Sequence, residues 1–174
     1  MHVVDYDPAW PARYESERAR IAAALGTAAT RIAHFGSTAV PGLGAKPVVD
    51  VLVAVEDADD EASVVAALVA AGYVLRVREP GHRMLRTPER DVHVHLWATG
   101  SDDERRHLLF RDWLRRDEAD RARYEAEKRR LAERDWPDMN HYAEAKSPVV
   151  GEITERAERW AADTGWAPAQ DEPR

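Results

Sequence analysis

The sequence predicts a single α+β domain in which helices pack against a mixed β-sheet. Apolar residues alternate with period two in the middle of the chain, and they recur with helical spacing towards both ends. Strands concentrated in the centre and flanked by helices are typical of an α+β domain, or of an α/β-like one. With 174 residues, the chain is long enough for one domain with a sizeable core. We place this domain at residues 1–166 and expect residues 167–174 to form a disordered tail.

The composition excludes several classes of function. The net charge is −7, which argues against a general affinity for nucleic acid or for an anionic membrane surface. Cysteine is absent, so disulfides, thiolate metal ligands and cysteine nucleophiles are excluded. The N-terminal residues lack the features of a signal peptide, and no apolar run is long enough to cross a bilayer. We therefore expect a cytoplasmic protein.

The first part of the chain predicts a helix, a strand–loop–strand unit and a second helix. Asp7 and Pro8 form a typical helix start, and apolar residues follow at helical spacing, so the first helix is expected over 8–25. A short apolar run then forms the first strand, and an alternating run predicts the second strand over 48–55. The apolar segment 63–71 predicts a short helix that a glycine ends.

Three further strands and a capped helix are expected next. The strands are predicted over 73–78, 83–87 and 91–97, and the last of them alternates strictly with period two. Ser101 and Glu104 then have the spacing of a capping box. The helix that they begin has apolar residues on one face and arginines on the other.

The C-terminal part predicts two more helices. Residues 117–134 are highly charged, which predicts a solvated helix held by ion pairs between residues four apart. The final helix contains apolar residues on one face, and Pro148 is expected to interrupt it.

The loop between the first two strands is the strongest candidate for a functional site. Between residues 36 and 47 it contains three glycines and two prolines. Glycine allows a ligand to approach the backbone closely, and clustered N–H groups favour an anion. The following strand has Asp50 in otherwise apolar surroundings, where a carboxylate needs a cation, a metal or several donors.

Period two assigns Asp50 and two histidines to corresponding faces of two strands. In the strand over 48–55, Asp50 alternates with valines, and in the strand over 91–97, His93 and His95 alternate with apolar residues. The valine-rich faces are expected to pack against helices. If the two strands are neighbours, Asp50, His93 and His95 share the other face of the sheet.

The segment HFGSTAVPGLGAKPVVD, at residues 34–50, resembles the signature of the GrpB family, a branch of the nucleotidyltransferase-fold superfamily. The family pattern continues with an H-x-H strand and with a helix of the form L-x-F-R-D-(Y/W)-L-R. Both occur here, at residues 93–95 and 108–115. Residues 142–146 also resemble its C-terminal Y-x-x-x-K pattern. The likeness extends over nearly the whole chain.

This resemblance implies a nucleotidyltransferase-type mixed sheet with flanking and C-terminal helices. A Gly-Ser loop would lie near nucleotide phosphates, and strand carboxylates would hold Mg²⁺. Gly36 and Ser37 match the Gly-Ser pair and Asp50 matches the first carboxylate, but Leu52 occupies the position of the second. The third position falls on residues 93–95, which offer imidazoles. One carboxylate with two imidazoles suits Mn²⁺, Fe²⁺ or Zn²⁺ better than a pair of Mg²⁺ ions.

The candidate site therefore combines metal binding, catalysis and phosphate binding. Asp50, His93 and His95 are the predicted ligands of a divalent metal (Mg, Mn or Zn), and Asp50 and Lys46 are the candidate catalytic residues. Structural alternatives are an ordinary turn at Gly36 and Ser37, a solvated Lys46, core histidines at 93 and 95, and pairing of Arg83 with the abundant acidic residues. The predicted contacts to substrate or phosphate are Gly36, Ser37, Thr38, Lys46, Arg83 and Lys146.

Two functions are compatible with these residues. One is a metal-dependent enzyme that binds a nucleotide or a phosphorylated small molecule and catalyses nucleotidyl or phosphoryl transfer. The other is a catalytically degenerate binding or partner domain; GrpB-like domains fused to dephospho-coenzyme A kinase imply a supporting role in coenzyme A or nucleotide metabolism. Leu52 favours the second function, and Asp50 with its two histidines favours the first. A homo-oligomer is compatible with either.

Overall fold

The computed structural model describes residues 2–137 and 139–169, and within them a five-stranded mixed sheet forms the centre of the fold. The strands are β1 (Arg31–Phe35), β2 (Val49–Val55), β3 (Val74–Glu79), β4 (His82–Arg86) and β5 (Val92–Ala98). The helices are α1 (Trp10–Leu25), α2 (Ala66–Ala70), α3 (Asp102–Arg116), α4 (Glu118–Ala132) and α5 (Met139–Thr164). This arrangement confirms the predicted α+β fold.

The sheet has the order β1-β2-β5-β4-β3. β2 and β5 are parallel, whereas β1 with β2, β5 with β4, and β4 with β3 are antiparallel. A parallel pair requires a long crossover connection, and here α2 and the β3–β4 hairpin provide it. The predicted strands begin and end within two residues of the observed ones.

α1 and α2 cover one face of the sheet. The valines of β2 and β5 face this side, as the sequence predicted, and they belong to the main core. Ile21 of α1 and Leu68 of α2 are fully buried against them. Burial of one such aliphatic side chain stabilises the fold by about 1.5–3 kcal/mol, so this face holds much of the hydrophobic stabilisation.

α3 covers part of the opposite face. Leu52 and Ala54 of β2 pack there with Trp97 of β5 and with Leu108 of α3. α5 packs against both α3 and α4. The part of this face that α3 leaves uncovered contains the polar residues described below.

The start of the second predicted helix is irregular. Glu61–Val65 forms a π-helical turn, and α2 is the short regular helix that continues from it. The Asp60 carboxylate caps the turn by accepting a hydrogen bond from the Ser63 N–H at 3.1 Å. The start of α3 is closer to the prediction, because Ser101 caps it by accepting a hydrogen bond from the Glu104 N–H at 3.2 Å.

α4 corrects the prediction of a solvated helix. Ion pairs between residues three or four apart are present, such as Glu125 with Arg129 at 2.7 Å. However, Asp120 and Lys128 are buried together with Tyr124. The buried side of α4 could not be recognised from the charge pattern, because the charged residues on that side have partners on other elements. Asp120, for example, accepts hydrogen bonds from the guanidinium group of Arg156 on α5.

α5 continues through Pro148, where the sequence predicted an interruption. Proline removes one N–H from the helical hydrogen-bond ladder, and the Ser147 hydroxyl donates to the Ala143 carbonyl at 3.2 Å in the preceding turn. Val149 and Ile153 are buried directly after the proline. We attribute the continuity of the helix to this packing, which offsets the missing hydrogen bond.

The predicted tail lies only partly within the described residues. Residues 167–169 have no regular secondary structure, and residues 170–174 lie outside the described part of the chain. None of the helices in the described residues combines the length and apolar character that crossing a bilayer requires.

Leu52 provides a test of the packing between the sheet and α3. Its side chain is fully buried beside Phe35, Trp97 and Leu108. We expect Leu52→Ala to lower the free energy of unfolding by about 2–5 kcal/mol, because the truncation leaves a cavity. Denaturant-induced unfolding measures this change. Val69→Ala is the control, because Val69 is 49% exposed, and its effect should stay below about 1 kcal/mol. Equal losses for the two variants would contradict this packing.

Candidate metal and phosphate site

Asp50 and two histidines meet on one face of the sheet because β2 and β5 are parallel neighbours. In their register, Asp50 pairs with His93, and Leu52 pairs with His95. The Asp50 Oδ1 lies 3.6 Å from the His93 Nδ1 and 3.6 Å from the His95 Nε2. One possible ligand atom from each residue lies within 4.8 Å of the other two. The structure thus brings together the three residues that the sequence predicted as metal ligands.

The protonation states of this cluster suit a cation. Burial alone would raise the pKa of Asp50, but contacts with His93 and His95 outweigh it, so the net pKa lies well below its usual value. Burial lowers the pKa of His95, although the Asp50 charge opposes this shift. An ionised carboxylate and a neutral imidazole are the forms that bind a metal. One oxygen and two nitrogen donors fit Mn²⁺, Fe²⁺ or Zn²⁺ and leave coordination positions for a ligand or water.

Gly36 allows the Asp50 carboxylate to lie against the loop that follows β1. A Cβ atom at position 36 would approach the Asp50 Oδ2 to 2.7 Å, which is closer than real contacts of this kind. Gly36 also has φ = +71°, a conformation that favours glycine. The phosphate contact predicted for Gly36 stays a prediction, and the structure supplies a separate reason for glycine at this position.

A buried lysine from α4 reaches the same loop. The Lys128 Nζ donates to the Ser37 Oγ at 2.9 Å and to the Gly44 carbonyl at 2.5 Å. It also lies 4.8 Å from the centre of the Tyr124 ring. Burial, assisted by repulsion from Lys146, lowers the pKa of Lys128 to about 7. Because the Ser37 and Gly44 acceptors are neutral, they do not cancel the charge of a protonated Lys128.

A small polar cavity of about 200 Å³ lies beside this lysine and the Asp50 cluster. Lys46 and Lys146 also face it; Lys46 is exposed, and the pKa of Lys146 is lowered by burial against the opposing Asp50 charge. Several lysines around a single carboxylate favour an anionic ligand. The polar residues that line the cavity are Ser37, Thr38, Lys46, Asp50, His93, Lys128, Tyr142 and Lys146.

A larger cavity of about 650 Å³ adjoins the polar one. The two share Ser37, Asp50 and Lys146. The volume and the mixed lining are typical of a site for a small organic ligand. Much of the lining is apolar or aromatic and comes from β1, α3, α4, α5 and the loop after β1: Phe35, Val40, Phe110, Leu114, Tyr124 and Val150.

Thr38 makes an internal contact. Its side chain is buried, and its Oγ1 lies 2.9 Å from the His34 Nε2. The His34 ring stacks on Tyr14 at 4.8 Å, and burial lowers the pKa of His34 to about 3. The packing supports a structural role for His34. A phosphate contact from Thr38 stays a prediction, since Thr38 also lines the polar cavity.

The structure does not bring Arg83 together with the other predicted phosphate contacts, and it pairs Arg83 with acidic residues, the alternative to a phosphate contact. Arg83 pairs with Leu96 in the β4–β5 register and therefore faces α1 and α2, on the opposite side of the sheet from Asp50. Its guanidinium group lies 2.8 Å from the Glu61 carboxylate and 2.6 Å from the Asp59 carboxylate. These acids neutralise its charge.

Three residues beside the cluster and its loop, Lys128, Tyr124 and His82, were not predicted from the sequence. Lys128 and Tyr124 lie in a segment whose alternating charges predicted a solvated helix. Their spacing from each other and from Leu131 places all three on one helix face, and this spacing could have indicated a buried lysine. His82 precedes the strand predicted over 83–87, and its Nε2 lies 3.0 Å from the His95 Nδ1.

Leu52 occupies the position at which the resemblance implies a second carboxylate in active nucleotidyltransferases. The cluster therefore lacks that carboxylate. The Leu52 side chain is directed into the apolar contact with α3 and has no exposed surface. A carboxylate at this position would lose its hydration without gaining a partner from these apolar neighbours. The site is therefore built around a single carboxylate and two imidazoles.

Comparison with known proteins identifies the family. A sequence model described as GrpB protein matches residues 1–156. A UPF0157 protein of Streptomyces coelicolor is 55% identical over 153 residues, which cover 88% of this chain and 82% of the relative. A dephospho-CoA kinase of Mycolicibacterium paratuberculosis is 33% identical, and the match covers 97% of this chain but 48% of the kinase.

A solved structure agrees with this assignment. The crystal structure of the conserved protein GrpB from Enterococcus faecalis superposes with a TM-score of 0.80 at 31% sequence identity. The superposition covers 91% of this chain and 99% of the other. Because the family match, the sequence relatives and the fold all agree over most of its length, this chain belongs to the GrpB family.

Proposed function

We propose that this protein binds a nucleotide or a phosphorylated small molecule at a divalent-metal site and catalyses phosphoryl or nucleotidyl transfer there. The observation that supports the proposal is the position of the Asp50, His93 and His95 cluster. It lies beside a loop and two lysines that suit an anion, and its Asp50 also lines a cavity that could hold an organic group.

Each part of the site has a role in this proposal. Asp50, His93 and His95 would hold the metal, which when bound supplies Lewis-acid polarisation of a phosphoryl oxygen. Lys128 and Lys146 would offset the charge of the phosphates, and the Lys128 hydrogen bond holds the Ser37 hydroxyl at the edge of the polar cavity. The 650 Å³ cavity would receive the remainder of the ligand and exclude water from it.

Binding without catalysis is the second candidate. Its support is Leu52, which leaves too few carboxylates for a pair of Mg²⁺ ions bridging phosphates. The name of the dephospho-CoA kinase relatives suggests coenzyme A precursors as ligands to test beside nucleotides. In this candidate function, the domain would bind such a ligand and support another enzyme.

Metal binding tests the Asp50 cluster. We expect purified, metal-free protein to bind Mn²⁺ or Zn²⁺ with one ion per chain, as measured by isothermal titration calorimetry. Asp50→Asn should weaken the affinity by more than about tenfold, because loss of a direct ligand should exceed the loss of an outer-shell partner. Glu56→Gln is the matched control, since it removes one exposed carboxylate just after the same strand. Unchanged affinity in Asp50→Asn would exclude this metal site.

The pH dependence of anion binding tests Lys128. The pKa of about 7 implies that Lys128 gains its proton, and its attraction for anions, as the pH falls through 7. We expect metal-free protein to bind sulfate about tenfold more tightly at pH 6 than at pH 8.5, because the charge of sulfate is constant over this range. NMR titration measures the affinity.

Two variants separate Lys128 from other groups that titrate in this range. Lys128→Arg keeps a permanent charge and should flatten the pH profile, whereas Lys128→Met should bind weakly at both pH values. Identical profiles for the wild-type protein and Lys128→Met would show that Lys128 does not contact the anion.

Turnover distinguishes the two candidate functions. The protein is incubated with nucleoside triphosphates or coenzyme A precursors and with Mg²⁺, Mn²⁺ or Zn²⁺, while ligand binding and release of pyrophosphate or phosphate are followed. We expect release with at least one metal and loss of release in Asp50→Asn. Binding without release under every metal would favour the binding-only function, and absence of binding would contradict both.

A further inference from the structure

A chain of polar contacts continues from the metal cluster to the protein surface. The His95 Nε2 faces the Asp50 carboxylate, and its Nδ1 lies 3.0 Å from the Nε2 of His82. The Nδ1 of His82 lies 2.9 Å from the Glu79 Oε2, and the Glu79 side chain is 65% exposed. The residues thus follow one another in the order Asp50, His95, His82 and Glu79.

The hydrogen bonds between Glu79 and His82 and between His82 and His95 have one consistent arrangement of protons when both imidazoles are neutral. The 3.6 Å contact between His95 and Asp50 is longer than a hydrogen bond and does not enter this assignment. The Glu79 carboxylate can only accept, so the His82 Nδ1 must donate to it. The His82 Nε2 then has a lone pair and accepts the proton of the His95 Nδ1. The His95 Nε2 consequently keeps its lone pair and directs it towards Asp50, which is the form that a metal ligand needs.

Packing holds the His82 ring in this position. His82 is the first residue of β4 and pairs with Trp97 of β5, on the same face of the sheet as His95. Its ring stacks on Trp97 with a centroid distance of 4.8 Å and an interplanar angle of 10°. The turn before it includes Gly81, whose N–H donates to the Asp59 carboxylate at 3.0 Å. The acceptor nitrogen therefore stays directed at His95.

We propose that His82 is a positioning residue of the metal site: it selects the His95 tautomer whose Nε2 binds the metal, and Glu79 holds His82 in the required orientation. This inference rests on the proposed function, because it assigns a role towards the metal of that site. His82 itself does not touch the metal, and it acts through His95.

Metal affinity is the first measurement. We expect His82→Phe, which retains an aromatic ring for stacking but has no acceptor, to weaken the binding of Zn²⁺ or Mn²⁺ about 10–100-fold in calorimetric titrations. His82→Gln offers an amide oxygen as a replacement acceptor and should restore part of the affinity. Glu79→Gln should have a smaller effect, and Glu89→Gln, which changes an exposed carboxylate in the turn after β4, should have none. Thermal unfolding checks that each variant is folded.

The tautomer is the second measurement, and it needs no metal. In ¹⁵N NMR spectra of the metal-free protein at pH 8.5, we expect His95 to have its proton on Nδ1 in the wild-type protein. In His82→Phe, the proton should shift towards Nε2, where the Asp50 carboxylate can accept it. A purely structural role of His82 would not move this signature in a variant that remains folded.

The outcomes separate this inference from the proposed function. If the wild-type protein binds metal but His82→Phe keeps both the affinity and the His95 tautomer, the inference fails and the metal site stands. If the wild-type protein binds no metal, the metal site and the role of His82 towards it both fail. Weaker binding together with a shifted tautomer supports both.

Discussion

The parallel pairing of β2 with β5 is the constraint on which both the core and the site depend. In this register one face of the strand pair presents aliphatic side chains to α1 and α2, and the other face brings Asp50 beside His93 and His95. A shift of one residue in either strand would move that strand's polar side chains into the apolar core. The hydrophobic stabilisation of the core therefore also maintains the geometry of the polar cluster.

The face of the sheet that contains Asp50 has an apolar region and a polar region close to each other. Towards α3, Leu52 and Trp97 form a closed apolar contact. Towards the loop after β1, Asp50 lies against Gly36, where a side chain would not fit. The closed contact explains why Leu52 rather than a second carboxylate fits in this strand, and the absence of a side chain at Gly36 allows the Asp50 carboxylate to lie directly against the backbone of the loop.

The helices complete the site with charges that the sheet lacks. Lys128 of α4 and Lys146 of α5 reach the polar cavity from outside the sheet, and burial lowers the pKa of each. Keeping an ammonium group in such a place costs free energy unless an acceptor or an anion compensates. Ser37 and Gly44 compensate in part for Lys128, and a bound phosphate would compensate further.

The sequence by itself determined the fold class, the strands and the face of its own strand on which each of Asp50, His93 and His95 lies, because period-two alternation is a local property that burial of one sheet face imposes. The pairing of β2 with β5 then brought these faces together. It did not determine how distant segments meet. Arg83 was predicted to lie with the other phosphate contacts, but the register between β4 and β5 places it on the opposite face of the sheet from Asp50. Lys128 and His82 were missed because their roles arise from contacts across elements. Only the tertiary structure decided the surroundings of these side chains. The role of a charged group or an imidazole depends on the groups that folding places beside it, and the local sequence does not specify those groups.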